Sequence, residues 1–140
     1  MIVVDDQLLF GILARKPSLA FEALASNGVA TTSSWYFRLA RAIATGRAEG
    51  SLSRLMNDLN EPERQIVRTS LGTLPPSVET LTPRVVVPLM AAIASATTAN
   101  FLTLEALAVA IALDATIVTA TISPLLESAA RLIHVPVVLL

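Results

Sequence analysis

Two carboxylates from the two ends of this chain, Asp5 and Glu105, could do chemistry together. Met1-Ile2-Val3-Val4-Asp5-Asp6 is a short apolar run closed by paired acids, and Glu105 stands near the start of a helix that the spacing predicts over 104–113. In a parallel sheet, ligands bind beyond the carboxyl ends of the strands. Asp5 and Glu105 can converge on one such cleft. Magnesium and manganese are hard ions that take oxygen ligands, and carboxylates are a protein's usual offer. Two metals spanning a scissile phosphate need roughly three or four of them. Alternation along an extended strand directs Asp6 away from Asp5.

The elements that position these acids follow from hydrophobic spacing. Ile2 to Asp5 reads as a buried parallel strand, with a helix over 7–14. A second helix follows Pro17-Ser18, and Asn27-Gly28 is a turn. Val29 to Thr32 is a strand, and Ser33 or Ser34 caps the helix from Trp35 to Thr45. Gly46 and Gly50 break the chain. Leu52, Leu55, Met56 and Leu59 form the stripe of a short helix. Asn60-Glu61-Pro62-Glu63 is a capping-box helix start. Val78 to Leu81 is a strand or merely extended, and Pro83 opens a helix to Thr97. Thr103 caps the helix that carries Glu105. Thr116 to Thr119 is a strand, Ser123-Pro124 caps the last helix, and Val135 to Leu140 is the last strand. Short strands alternating with helices predict a single α/β domain over 1–140, a three-layer α/β/α sandwich with a mainly parallel central sheet.

Composition narrows the function classes. Hydrophobic residues make up 54% and charged residues 15%, so there is material for a core and for a subunit interface besides. No cysteine is present, which excludes disulfides, thiolate zinc sites and a cysteine nucleophile. Val85 to Leu104 is free of charge and has the length of a bilayer span. It also holds Pro88, Ser95, Thr97, Thr98, Asn100 and Thr103, so it reads as a core helix and loop rather than a membrane segment. No basic region precedes the first apolar run, and a cytoplasmic location is the default. The net charge of −1 gives no broad attraction to nucleic acid. Arginines 38, 41, 47, 54, 64 and 68 nevertheless cluster along one stretch, and guanidinium forks suit phosphate.

Two families open with a comparable strand. Val3-Val4-Asp5-Asp6-Gln7-Leu8-Leu9 resembles the start of a response-regulator receiver domain. That mechanism needs a later phosphoacceptor aspartate and a lysine. Residues 42–57 contain no aspartate, and Lys16 is the only lysine, so the mechanism has no residues to run on.

Ile2-Val3-Val4-Asp5 and its Leu-rich helix resemble the first motif of the PIN domain, the fold of VapC-type toxin ribonucleases. Leu104-Glu105-Ala106-Leu107-Ala108-Val109-Ala110-Ile111-Ala112 is similar to the family's acid-Ala-Leu helix. Ala115-Thr116-Ile117-Val118-Thr119-Ala120-Thr121 is similar to the strand that normally ends in Thr-x-Asp. Ser123-Pro124-Leu125-Leu126 and Val135-Pro136-Val137 resemble the last helix and strand. The match covers residues 1–14 and 103–140. It implies Asp5 and Glu105 as catalytic and metal-binding acids, with Asp6, Thr119 and Thr121 in support. The family's second acid falls in Trp35-Tyr36-Phe37-Arg38-Leu39-Ala40-Arg41, where arginine stands instead. The last falls on Thr121. Two of the four acids the resemblance implies are thus missing, and magnesium or manganese would bind weakly. Arg38 and Arg41 become phosphate contacts.

The expectation is a PIN-like protein with weakened or lost RNA cleavage, forming a homodimer. An antitoxin-like peptide would dock on the Leu52, Leu55, Met56 and Leu59 stripe. Each acid also has a structural reading. Asp5 can cap the helix after it, and Glu105 can be a first-turn acid favoured by the helix dipole. The rival function is a protein-interaction module with no nucleic-acid role.

Overall fold

The computed structural model describes residues 1–46 and 51–140. The expected break at Gly50, together with Arg47 and Glu49, lies outside the described residues. In chain order the elements are β1 (Ile2–Val4), α1 (Asp6–Leu13), α2 (Leu19–Leu24), β2 (Val29–Thr31), α3 (Ser33–Thr45), α4 (Ser51–Asn57) and α5 (Glu61–Gly72). Then come β3 (Val78–Glu79), α6 (Pro83–Ala94), α7 (Phe101–Leu113), β4 (Thr116–Thr119), α8 (Pro124–Leu132) and β5 (Val137–Leu139).

The strands form one sheet in the order β3-β2-β1-β4-β5, and every pairing is parallel. The chain winds outward from β1 through β2 to β3, then crosses back to β4 on the other side of β1. The switch point of the winding therefore falls between β1 and β4, where Val3 pairs with Ile117 and Val4 with Val118. Crevices open at such points because the helices on either side leave in opposite directions.

Side chains alternate across the sheet. Ile2, Val4, Val78 and Val118 join Leu9, Leu13, Phe21, Leu39 and Val67 in one core. Val3, Ala30 and Ile117 join α6, α7 and α8 in the other. This is the three-layer α/β/α arrangement. α7 is apolar around most of its circumference, as a helix enclosed by its neighbours should be. Ala106, Leu107, Ala108, Val109 and Ala110 are all buried. α3 serves both cores, with Trp35 in one and Leu39 and Ala42 in the other.

Some local expectations hold and others shift. The uncharged stretch from Val85 to Leu104 divides into parts of α6 and α7 joined by a loop. No helix among the described residues is long and apolar enough to cross a membrane. Thr32, not Ser33 or Ser34, caps α3, and Asn100, not Thr103, caps α7. The expected capping box at Asn60 and Glu63 forms in full. The stripe on α4 faces inward. Leu52 and Leu59 are buried and Leu55 and Met56 pack against the same core, so these residues complete the protein's own interior.

Candidate functional site

Asp5 leaves β1 at the switch point and caps α1. Its Oδ1 accepts the backbone N–H groups of Gln7 at 3.1 Å and Leu8 at 2.9 Å. Its Oδ2 accepts the N–H of Ala120 at 2.8 Å, just past the end of β4. One carboxylate thus satisfies the first turn of α1 and ties the two central strands together. Burial pushes its pKa up from the ordinary 3.8, against the lowering effect of those three N–H groups and of Arg38.

Asp6 does not point away from Asp5 as alternation predicted. It is the first residue of α1 rather than the last of an extended strand, so the period of two no longer applies. It is buried and lines the same crevice as Asp5. Arg38, from α3, brings its Nε to 3.3 Å from Asp6 Oδ2. The two form an ion pair but no aligned hydrogen bond, and that oxygen has no hydrogen-bond partner. The Arg38 side chain is 46% exposed and that of Asp6 only 6%. With one partner so solvated, the pair contributes on the order of 1 kcal/mol. Burial also raises the Asp6 pKa above 3.8; Arg38 opposes the rise and Asp5 adds to it.

Glu105 sits in α7, yet its carboxylate serves α3. Its Oε1 accepts the N–H of Ser33 at 3.1 Å and its Oε2 that of Ser34 at 2.9 Å. α3 has no acid in its own first turn. Glu105 supplies one from another element, where the helix dipole favours negative charge. It lines a neighbouring cleft with Ser33 and Ser34, whereas Asp5 and Asp6 line the switch-point crevice. Arg38 borders both. Asp5 and Glu105 thus each accept the first N–H groups of a helix, and they line adjoining clefts that share Arg38.

The switch-point crevice holds about 450 Å³. Thr119 is buried in its wall, and Thr121 lies at its mouth and accepts Gln7 Nε2–H at 3.3 Å. Thr103 and Ser123, which sequence reasoning had read only as caps, and Asn100 add polar groups. Arg41 is exposed on α3 and does not line the crevice. Asp114 caps the far end of α7, before β4 begins, so it lies at the opposite end of the sheet from Asp5. Among the described residues, no group of three or more His, Cys, Asp or Glu side chains is placed to hold a metal ion.

The second cleft, of about 540 Å³, is mostly apolar and runs between α3, α6 and α7. Phe37, Val87 and Phe101 stand on it at 63%, 55% and 65% exposure, with Val86, Met90 and Leu102 deeper in the wall. No expectation from the sequence had singled out this surface. Phe37 and Phe101 lie on helices whose other faces are needed for the core, so a buried and an exposed aromatic look alike in sequence.

The chain matches no protein-family model, and a comparison with curated proteins finds no match.

Proposed function

We propose that this chain is a PIN-like protein, related to the metal-dependent toxin ribonucleases, that has lost catalysis and works by binding. One observation carries the reading. All four carboxylate oxygens of Asp5 and Glu105 accept backbone N–H groups. Asp5 Oδ1 takes two donors and has no lone pair left. The residues present fit a two-metal hydrolytic centre poorly. The acids are divided between two clefts, and a guanidinium stands where a third acid would be needed. Magnesium or manganese at this site would be weakly held, and no cleavage step is derived through either.

The binding surface in this reading is the apolar cleft of α3, α6 and α7, and its occupant is a second copy of the chain. Solvent-exposed aromatic residues around a cleft poor in charge have the character of a homodimer interface. The inward-facing stripe on α4 leaves an antitoxin-like peptide without the surface first assigned to it. RNA, in this reading, is bound through Arg38 and is not cut. The rival reading, a protein-interaction module with no nucleic-acid role, shares the apolar cleft and differs only in RNA affinity. Incubation of purified protein with a mixed RNA pool and manganese tests the loss of catalysis. No cleavage is expected, and cleavage that Asp5→Asn abolishes while the variant stays folded overturns the reading.

A further inference from the structure

We propose that a cavity between α1, α4 and α5 binds a small organic monocarboxylate, with the Arg64 guanidinium as its counter-charge and an apolar wall around its body. The cavity holds about 160 Å³. Phe10 of α1, Met56 of α4, Leu59 and Val67 of α5 supply the apolar wall. Phe10, Leu59 and Val67 belong to one core, whereas Val86 and Met90 in the wall of the apolar cleft belong to the other. The cavity is thus separate from the surface assigned to a second copy, and the proposal stands apart from that reading. Arg64, Val67 and Arg68 are three and four residues apart on α5, so they share one helix face. Both arginines line the cavity, and both come from the cluster that the sequence shows along this stretch.

Arg64 lacks a counterpart within the chain. Its Nε is buried and has no hydrogen-bond partner. Leaving a buried N–H unmet is costly, and an ion from outside the chain is one way to meet it. The acids of α5 are already engaged: Glu63 pairs with Lys16, and Glu61 Oε1 lies 3.2 Å from Arg68 Nη1. Among the described residues, no carboxylate lines the cavity. One positive charge therefore stays uncompensated, which selects a ligand with a single negative charge. A planar carboxylate matches the guanidinium fork. Inorganic phosphate would leave its remaining oxygens against the apolar wall without donors. An apolar cavity of about 150 Å³ accepts a benzene-sized molecule, so one ring or a short branched chain fits the space beside the charge.

The test is thermal unfolding of the full chain against sodium benzoate, with sodium chloride at equal ionic strength and benzamide as the neutral counterpart. The wild-type midpoint should climb with benzoate, with a Kd on the order of 1 mM or tighter for a ligand of this size, and should ignore benzamide. Arg64→Gln should weaken benzoate at least about tenfold. Arg64→Lys keeps the charge without the fork and should fall between the two, which also covers the case of an Arg64→Gln that does not fold. Benzoate should shift the amide resonances of Asn57, Arg64 and Arg68 and leave those of Phe37 and Phe101 in place. A wild type indifferent to benzoate, or one that responds as steeply to benzamide or to inorganic phosphate, overturns the proposal. So does a folded Arg64→Gln that binds benzoate as well as wild type, or a shift pattern centred on Phe37 and Phe101.

Discussion

Asp5 Oδ2 accepts the backbone N–H of Ala120 at 2.8 Å, joining residues 115 positions apart in the chain. The same carboxylate caps α1 through its other oxygen. A single carboxylate at a strand end thus fastens β1, α1 and the end of β4 together.

Removal of Asp5 should therefore appear first in stability. Asp5→Ala leaves three N–H groups without their acceptor and should cost about 2–4 kcal/mol. Asp5→Asn keeps an acceptor for α1 but turns an N–H group towards Ala120, so its loss should be smaller. Urea denaturation measures both. An unchanged midpoint for Asp5→Ala would show that the three bonds contribute nothing.

Glu105 should behave in the same way at a distance. Glu105→Ala removes both acceptors at the start of α3 and should cost about 1–3 kcal/mol. The signature is local: hydrogen exchange at the Ser33 and Ser34 amides should accelerate more than exchange in α7, where the mutation sits. Faster exchange confined to α7 would place the role of Glu105 in its own helix instead.

The pH dependence has a definite sign. Burial raises Asp5 and Asp6 above the ordinary 3.8, so the folded chain keeps protons that the unfolded chain has already released. The stability these groups contribute is present below 3.8 and is lost as pH rises through their raised values. Asp6→Asn removes one titrating group. Its stability relative to wild type should therefore improve as pH rises above 3.8. Urea midpoints measured above that value decide the matter, and a relative stability that worsens with pH contradicts the burial of Asp6.

The apolar cleft yields a prediction about assembly. Phe37→Glu or Phe101→Glu enters a two-fold interface twice. At about 2 kcal/mol per aromatic anchor, association should weaken roughly 100- to 1,000-fold. Analytical ultracentrifugation should show a concentration-dependent dimer for wild type and a monomer for either variant. A wild type that stays monomeric, or variants that dimerise equally well, would remove the homodimer from this face.

The fold was legible where the signal is local. Asn60 and Glu63 form their box because both partners lie within one turn, and β1 reads as buried because Ile2, Val3 and Val4 have no polar neighbour among them. Caps were less legible. Thr32, Ser33 and Ser34 are all competent cap residues, and only the backbone path after β2 selects the first. The direction of Asp6 depended on a helix that begins one residue earlier than hydrophobic spacing indicated. The role of Glu105 was least legible, since its partners lie 71 and 72 residues away. The one sequence signal was an absence: α3 has no acid in its first turn, so a buried acid elsewhere could fill that need.

Manganese binding by calorimetry, on wild type and on folded Asp5→Asn, tests most directly whether these acids hold the fold or a metal. If the carboxylates are caps, wild type should show no binding in the micromolar range, and Asp5→Asn should differ from it in stability alone. Micromolar binding by wild type that disappears in Asp5→Asn would mean that a metal centre survives at the end of β1, and would contradict the loss of catalysis.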